Sequence, residues 1–211
     1  MEQVRYEGGG AVARVTIDRP ERHNAMSFQV MSELAEAFET ATTDDAVRVL
    51  VLTGAGERAF CAGADLGGIG SNAGPARMHE ARGGPAALFK ALWHLGKPTI
   101  ARVRGYCLAG GFGLALSCDF VVASEDSTFG APEIDIGLWP YQITVPMVRS
   151  MPPKVALELM MTGRRVDAEE AQRIGFVNRV VAVADLDAAV AELAGAMASK
   201  SPAIMKLGRD A

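Results

Sequence analysis

The chain has 211 residues, of which 49% are hydrophobic and 22% charged, a balance typical of one globular domain with its own core. The formal net charge of -4 lacks the basic excess by which a nucleic-acid-binding protein is usually recognised. No apolar stretch reaches membrane-spanning length, the N-terminus lacks a signal-peptide core, and the three cysteines lack disulfide-like spacing, so we expect a cytoplasmic protein without nucleic-acid or membrane partners.

Predicted strands and helices alternate along the first half of the chain. Residues 11–17 alternate as a half-buried strand, and Ser27 is a predicted N-cap of a helix whose apolar residues recur about every four positions. Residues 47–53 form a short apolar run typical of a buried strand. The six glycines within 67–85 predict a mobile loop, and a helix is predicted near 86–95.

The second half of the chain is mostly helical in pattern. Strands are predicted at 99–103, 119–123 and 178–181, and helices near 141–150, 154–162, 168–174 and 185–200. Strands that alternate with helices predict an α/β fold with largely parallel pairing. Residues 196–211 have the pattern of a further helical region that then stops, so we place the core domain at 1–195 and expect the region after it to be truncated.

Several common sites are not expected. Gly54-Ala-Gly56-Glu-Arg-Ala59 matches a dinucleotide motif, but the motif requires a helix to follow, and Phe60-Cys-Ala-Gly63 does not have a helical pattern. A plain turn is the preferred interpretation. The three histidines have no partners at metal-ligand spacing, and the chain contains no G-x-S-x-G motif. Neither a metal site nor a serine hydrolase is predicted.

Two glycine-containing segments are suited to present backbone amides to a ligand. They are Ala59-Phe-Cys-Ala-Gly-Ala-Asp-Leu66 and Gly105-Tyr-Cys-Leu-Ala-Gly-Gly-Phe-Gly-Leu114. If Gly110 and Gly111 open a helix, its free amides favour negative charge. One amide from each segment would then hold a thioester oxygen as it becomes an enolate. The alternative is that these glycines only allow tight packing of a helix against a strand.

Glu133 is the candidate general base. It follows Pro132 and lies among apolar residues, so that partial burial would raise its pKa towards the range useful for proton abstraction. The alternative is an ordinary surface or capping glutamate.

Together, in this order, the segments resemble the crotonase (enoyl-CoA hydratase/isomerase) superfamily. The resemblance extends over almost the whole chain. The matching segments are Arg19-Pro-Glu-Arg-His-Asn-Ala-Met26, Phe60-Cys-Ala-Gly-Ala-Asp-Leu66, Lys97-Pro98, Ala109-Gly110-Gly111, Phe129-Gly-Ala-Pro-Glu133, Met161-Thr-Gly163, Ala168-Glu-Glu-Ala171 and Gly175-Phe-Val-Asn178.

The resemblance implies a fold, an assembly and a site. The fold is the α/β ClpP/crotonase-like one, in which stacked β-β-α units form two roughly perpendicular sheets surrounded by helices. The assembly is a trimer, often paired into a hexamer. The substrate is an acyl-CoA, and no cofactor is implied beyond the coenzyme A that the substrate carries. The amides of Ala64 and Gly110 would form the oxyanion hole, with Glu133 as the catalytic base. Residues expected to line the substrate and CoA site are Arg22, Asn24, Ala25, Ala62, Asp65, Leu66, Gly111, Trp139 and Tyr141.

The chain departs from the hydratase pattern at the catalytic pair. Hydratases of the family use two glutamates, the second twenty positions after the first, and residue 113 here is glycine. Gly67 and Gly68 stand where many relatives have a lysine near CoA, and Tyr141 replaces a glycine of the water-holding segment. A single base is enough to move a double bond, so we predict an enoyl-CoA isomerase. The alternatives are a hydratase that recruits another group, such as Asp135, and a non-catalytic acyl-CoA-binding member.

Overall fold

Two β-sheets and the helices packed on them form the fold. The structure, a computed structural model, describes residues 1–65 and 75–210. The strands are β1 (Val4–Glu7), β2 (Val12–Ile17), β3 (Val49–Gly54), β4 (Ala59–Cys61), β5 (Thr99–Val103), β6 (Tyr106–Leu108), β7 (Phe120–Ser124), β8 (Thr128–Gly130), β9 (Arg165–Asp167) and β10 (Arg179–Val181). The helices are α1 (Phe28–Thr43), α2 (Pro75–Trp93), α3 (Gly110–Ser117), α4 (Tyr141–Ser150), α5 (Pro153–Thr162), α6 (Ala168–Ile174), α7 (Leu186–Ala198) and α8 (Pro202–Asp210).

A β-β-α unit repeats three times along the chain, as β3-β4-α2, β5-β6-α3 and β7-β8-α4. The first strand of each unit joins a six-stranded sheet of order β1-β2-β3-β5-β7-β10, and the second joins a four-stranded sheet of order β4-β6-β8-β9. The β1/β2 and β8/β9 pairs are antiparallel, and the other described pairs are parallel. The stacked units confirm the predicted α/β fold.

Most predicted elements are confirmed within a few residues. Ser27 caps α1 as expected, because its Oγ accepts a hydrogen bond from the Val30 amide at 3.1 Å. The predicted loop over 67–85 is wrong in its second half, where α2 begins at Pro75; residues 66–74 lie outside the described part of the chain. A Cβ built on Gly84 would lie 2.7 Å from Met31 Sδ of α1, so this glycine permits close helix packing rather than a loop.

Both ends of the described chain are held against the core. The Glu33 carboxylate, buried on α1, accepts hydrogen bonds from the amides of Gln3 and Val4 at 2.8 Å. Burial alone would raise the pKa of Glu33, but these backbone amides and the Gln29 side chain outweigh it and hold the pKa below its usual range.

At the other end, α7 continues to Ala198 and α8 follows after a short break, so the division predicted at 195/196 falls inside α7 and stays a prediction.

Candidate active site

The two loops that carry Gly110 and Glu133 leave neighbouring strands at the same edge. Strands β6 and β8 are parallel, with Leu108 opposite Gly130. Just beyond them the Ala109 amide donates to the Gly130 carbonyl at 2.9 Å. The chain then enters α3 at Gly110 on one side and the 3₁₀ helix Pro132–Ile136 on the other. The sheet therefore brings the segment that begins at Gly110 next to the segment that carries Glu133.

The first predicted oxyanion loop packs directly on the second. Gly63 has φ +102°, and a Cβ added there would lie 2.7 Å from the Ala109 Cβ, so only glycine fits. A Cβ built on Gly110 would lie 4.0 Å from the Ala64 nitrogen. The backbones of Ala64 and Gly110, which are 46 residues apart in the chain, are thus neighbours in space.

The Ala64 and Gly110 amides are both available to a ligand. Met26 forms a parallel bridge with Ala64, in which the Met26 amide donates to Gly63 and the Asp65 amide donates to Met26. The Ala64 amide therefore points away from Met26. Gly110 is the first residue of α3, so its amide has no acceptor within that helix. Neither amide donates to a backbone carbonyl of residues 1–65 or 75–210, and two such amides on adjacent loops fit the predicted oxyanion hole.

Ala109 has an unusual backbone conformation, with φ 51° and ψ -127°, in a region that residues other than glycine rarely adopt. Such strain costs of order 1–3 kcal/mol and persists only where the surrounding structure enforces it. Here it turns the chain from β6 into α3, whose first residue, Gly110, lies close to Ala64. The sequence offers no signal for this strain, since alanine is unremarkable at a helix start.

Glu133 lies half-buried in the short 3₁₀ helix that follows β8. Its Oε2 atom is buried and has no hydrogen-bond partner among the described residues. Burial raises the pKa of Glu133, and its own backbone amide opposes this only in part. A carboxylate that is poorly solvated and uncompensated has the properties expected of a general base, as predicted from its apolar neighbours.

Apolar side chains occupy the space beside Gly113, the position at which the hydratase pattern would have its first glutamate. A Cβ built on this glycine would lie 2.5 Å from Phe89 Cζ and 2.5 Å from Ile143 Cγ2. Phe89 and Ile143 are 1% and 2% exposed. A glutamate at position 113 would therefore require both side chains to move. The core packing, and not only the sequence, is thus incompatible with a carboxylate at this position.

Asp135 does not lie beside Glu133 as the alternative hydratase hypothesis assumed. Residues two apart lie on the same side of an extended segment, which would make Asp135 a second carboxylate beside Glu133, but the segment Pro132–Ile136 is a 3₁₀ helix. With three residues per turn, positions i and i+2 point in different directions. The Asp135 carboxylate lies on the side of Gly163, where an added Cβ would meet Asp135 Oδ1 at 2.9 Å.

The segment predicted to border CoA is held by polar contacts within the chain. Arg19 donates to the Ala25 carbonyl at 2.7 Å and forms an ion pair with Asp65 at 3.0 Å. Asn24 is 1% exposed, and its Nδ2 donates to the carbonyls of Ala55 and Ala59. These contacts give Asn24 and Asp65 a role in positioning the loop before Ala64. The sequence motif contained Arg19, but its pairing with Asp65 was not foreseen.

The other predicted substrate-lining residues are spread around this region. Arg22 is exposed and ends a 3₁₀ turn, while Ala25 and Ala62 are half-buried. Gly111 is buried, and a Cβ there would overlap the Cys61 carbonyl at 2.2 Å, so it serves close packing. Trp139 packs partly against the core, whereas Tyr141 is 78% exposed at the start of α4. Leu66 lies outside the described residues. Contact of these residues with a substrate stays a prediction.

Other chemistries find no support in the described part of the chain. Strand β4, rather than a helix, follows the Gly54–Gly56 turn, which removes the basis for a dinucleotide site. Residues 1–65 and 75–210 contain no group of three His, Cys, Asp or Glu placed to hold a metal ion. Burial raises the pKa of the Cys61 thiol to about 12, so this cysteine is unsuited as a nucleophile. None of the described helices is long and apolar enough to cross a membrane.

Comparison with known proteins agrees with this geometry. The family model described as enoyl-CoA hydratase/isomerase matches residues 7–211. The chain is 39% identical over 194 residues to the carnitinyl-CoA dehydratase of Proteus mirabilis, covering 92% of this chain and 73% of that protein. It is 38% identical over 204 residues to the Escherichia coli protein of the same name, covering 95% and 76%.

The fold is likewise that of solved relatives. The crystal structure of an enoyl-CoA hydratase from Bacillus anthracis superposes with a TM-score of 0.94 at 31% identity, covering 99% of this chain and 81% of the other. An enoyl-CoA hydratase from Mycobacterium smegmatis superposes with the same score at 32% identity. Together with the family model and the curated relatives, these matches show that the chain belongs to the enoyl-CoA hydratase/isomerase family.

Proposed function

We propose that the protein performs single-base enolate chemistry on an acyl-CoA thioester, with double-bond isomerisation as the leading reaction. Glu133 removes a proton from the α-carbon of a 3-enoyl thioester. The amides of Ala64 and Gly110 hold the thioester oxygen while it carries the negative charge of the dienolate. The protonated Glu133 then returns the proton at the γ-carbon, which leaves the double bond at the 2 position and regenerates the base.

The observation that carries this proposal is the contrast between Glu133 and Gly113. Glu133 has a buried carboxylate oxygen without a hydrogen-bond partner among the described residues, whereas Phe89 and Ile143 fill the space beside Gly113, where the hydratase pattern has its other carboxylate. Addition of water needs a group that orients or deprotonates the water and one that handles the α-proton, and losing one such group typically costs about 10²–10⁴-fold in rate. Isomerisation needs only one base, which can act twice.

Dehydration is a second candidate, and the relatives favour it. The curated proteins at 38–39% identity are named carnitinyl-CoA dehydratase. In that case Glu133 would take the α-proton of a 3-hydroxyacyl thioester and, once protonated, pass it to the departing hydroxyl. The α-carbon–hydrogen and β-carbon–oxygen bonds break, a carbon–carbon double bond forms, and water leaves. One carboxyl group serves both steps if the proton and the hydroxyl leave from the same face.

The test begins with the step that both candidates share. In deuterated water, the protein should exchange the α-proton of a bound acyl-CoA, and Glu133→Gln should slow this exchange by about 10²-fold or more. The exposed Glu125, on the turn after β7, gives a matched control, because Glu125→Gln makes the same change away from the site. Equal exchange in the wild type and in Glu133→Gln would refute the role of Glu133.

The products then separate the candidates. Conversion of a 3-enoyl-CoA into its conjugated isomer, without loss of absorbance from crotonyl-CoA, supports the isomerase. Rapid loss of the crotonyl-CoA absorbance shows hydration, and therefore the reverse dehydration. Tight CoA binding without exchange or turnover on either substrate would instead identify the non-catalytic member considered from the sequence.

The assembly into trimers or pairs of trimers stays a prediction of the family resemblance. Exposed apolar side chains on α4 and α5 support it. Tyr141, Val145 and Val148 recur along one face of α4, and Leu157 and Met161 lie one turn apart on α5. Isolated exposed apolar residues are ordinary, but a group of this kind is typical of a surface covered by a partner.

A further inference from the structure

A second concave site lies at the opposite ends of the central strands. A cavity of about 520 Å³ opens between the start of β3, the start of β5 and the junction of α7 with α8. Because β3 runs for six residues away from it, its carboxyl end lies about 17 Å away, and the chain reaches the Ala64 loop only after that end. The cavity is therefore separate from the candidate active site.

The lining of this cavity is strongly cationic in a chain whose net charge is negative. Arg48, Lys97, Lys200 and Lys206 line it, whereas Asp45 is the one carboxylate among the described lining residues. Lys200 and Lys206 form no ion pair with the described residues. Four basic side chains thus line one cavity, although the chain has more acidic than basic residues.

The walls of the cavity are fixed by hydrogen bonds that leave donors free. Arg48 Nη2 donates to the Lys200 carbonyl at 2.6 Å, which uses one of the five N–H groups of the guanidinium. Lys97 Nζ donates to the carbonyls of Ala41 and Asp44, both at 2.6 Å, and retains a third proton. Both cations therefore hold neighbouring elements in place and can still contact a ligand.

Lys206 is brought to the cavity by the way in which α8 is attached. A Cβ built on Gly96 would lie 3.6 Å from Lys206 Cε, so the lysine stem lies along this glycine. Further along α8, Arg209 is 10% exposed and pairs with Asp119 at 2.8 Å. These two contacts hold α8 on the core, so that Lys206 lines the same cavity as Arg48 and Lys200.

We propose that this cavity binds a compact anion bearing two phosphate groups. A single carboxylate would pair with one cation, whereas four cations that line one cavity and retain free donors fit a ligand of higher charge. The volume lies in the range of small-molecule sites. Apolar side chains between the cations, including Met197 and Met205, leave room for a non-polar portion of the same ligand.

Calorimetric titration with inorganic pyrophosphate at low ionic strength tests this site. The wild-type protein should bind one pyrophosphate, with an affinity that falls as salt is added. Lys200→Gln combined with Lys206→Gln should weaken binding by about tenfold or more. Lys90→Gln combined with Lys154→Gln removes the same charge from exposed positions outside the cavity and should leave the affinity unchanged.

The outcomes are clear-cut because the lysines are exposed and their replacement leaves the core intact. Thermal unfolding of the double variants provides the check on folding. Absence of pyrophosphate binding to the wild type, or equal binding by the Lys200/Lys206 variant, would overturn the proposal. Loss of binding in both double variants would show only a general charge effect and would equally overturn it. Turnover of acyl-CoA should be the same in all of these proteins.

Discussion

The ionised form of Glu133 lowers the free energy of unfolding, because its carboxylate is partly buried. Burial raises the pKa of its carboxyl group, so the folded protein retains a proton on Glu133 at a pH where the unfolded chain has lost it. A group of this kind stabilises the fold most below its unfolded pKa, and this contribution is lost as the pH rises through the folded pKa. At neutral pH and above, the fold then contains a charged, poorly solvated carboxylate.

Glu133→Gln should therefore stabilise the protein, and the gain should depend on pH. We expect a higher free energy of unfolding than in the wild type at about pH 8, and little difference at about pH 4, where both side chains are neutral. Denaturant titrations at the two pH values measure this. Glu125→Gln should show no such gain, and a Glu133→Gln variant that is less stable at high pH would contradict the assignment.

The rate of exchange of the substrate α-proton should depend on the same ionisation of Glu133. Ionisation lowers the stability of the fold but raises this rate. Only the ionised Glu133 can accept the α-proton, so the exchange rate falls as the pH is lowered through its raised pKa. A pH–rate profile over the range in which the protein stays folded measures the inflection. An inflection at or below the ordinary glutamate value of 4.5 would show that the environment of Glu133 is not the one described.

The longer elements could be predicted from the sequence because their own residues determine them. Helix α1 has a serine cap and apolar residues at helical spacing, and α4 begins at the predicted residue, Tyr141. Strands β4, β6 and β8 were not predicted, since three residues are too few to show a periodicity. Yet the loops of the candidate site follow β6 and β8. The pairing of these two strands depends on contacts across the sheet and not on the residues of either strand alone.

The site residues also divide into those that the sequence identifies and those that only tertiary packing brings to the site. Ala64, Gly110 and Glu133 were identified because they occupy motif positions, and the sheets then brought their segments together. The side chains of Phe89 and Ile143 could not be assigned to the site, because they reach Gly113 from α2 and α4. Contacts of that kind depend on the packing of helices that are distant in sequence, on which a single sequence carries no information.

Helix α3 is predicted to tolerate no side chain at Gly113. Alanine is normally preferred to glycine within a helix by about 1 kcal/mol. At this position, however, the added methyl group would lie 2.5 Å from both Phe89 and Ile143. Because overpacking of a core typically costs about 1–3 kcal/mol, we expect Gly113→Ala to lower the free energy of unfolding by about that amount, measured by denaturant titration.

Gly195 on α7 provides the matched control for this prediction. A Cβ built there meets no atom within 4 Å, so Gly195→Ala should raise the free energy of unfolding by up to about 1 kcal/mol. Gly113→Ala together with Phe89→Leu should recover part of the stability lost in the single variant. If Gly113→Ala were as favourable as Gly195→Ala, the apolar filling beside position 113 would be disproved.

At the scale of the whole molecule, Arg209 joins the last described helix, α8, to the core through several polar contacts. Arg209 donates to the Leu92 and Trp93 carbonyls at the end of α2, both at 2.6 Å, and pairs with Asp119. Asp119 in turn accepts hydrogen bonds from the Thr99 amide and hydroxyl at 2.8 Å, at the start of β5. One guanidinium thus links α8, the end of a helix and a strand of the central sheet.

Arg209→Gln should release α8 while the rest of the fold remains intact. Hydrogen bonds to charged groups contribute about 1.5–3 kcal/mol each, so the amides of Pro202–Asp210 should exchange with solvent faster than in the wild type, with little change in the strands of the six-stranded sheet. Hydrogen exchange resolved by peptide measures both.

Arg209→Lys should recover part of the protection, because lysine retains the charge but not the planar fork that reaches three acceptors at once. Arg173→Gln, which removes an exposed pair on α6, should leave exchange in α8 unchanged. If α8 kept its protection in Arg209→Gln, its apolar contacts alone would be sufficient to hold it on the core.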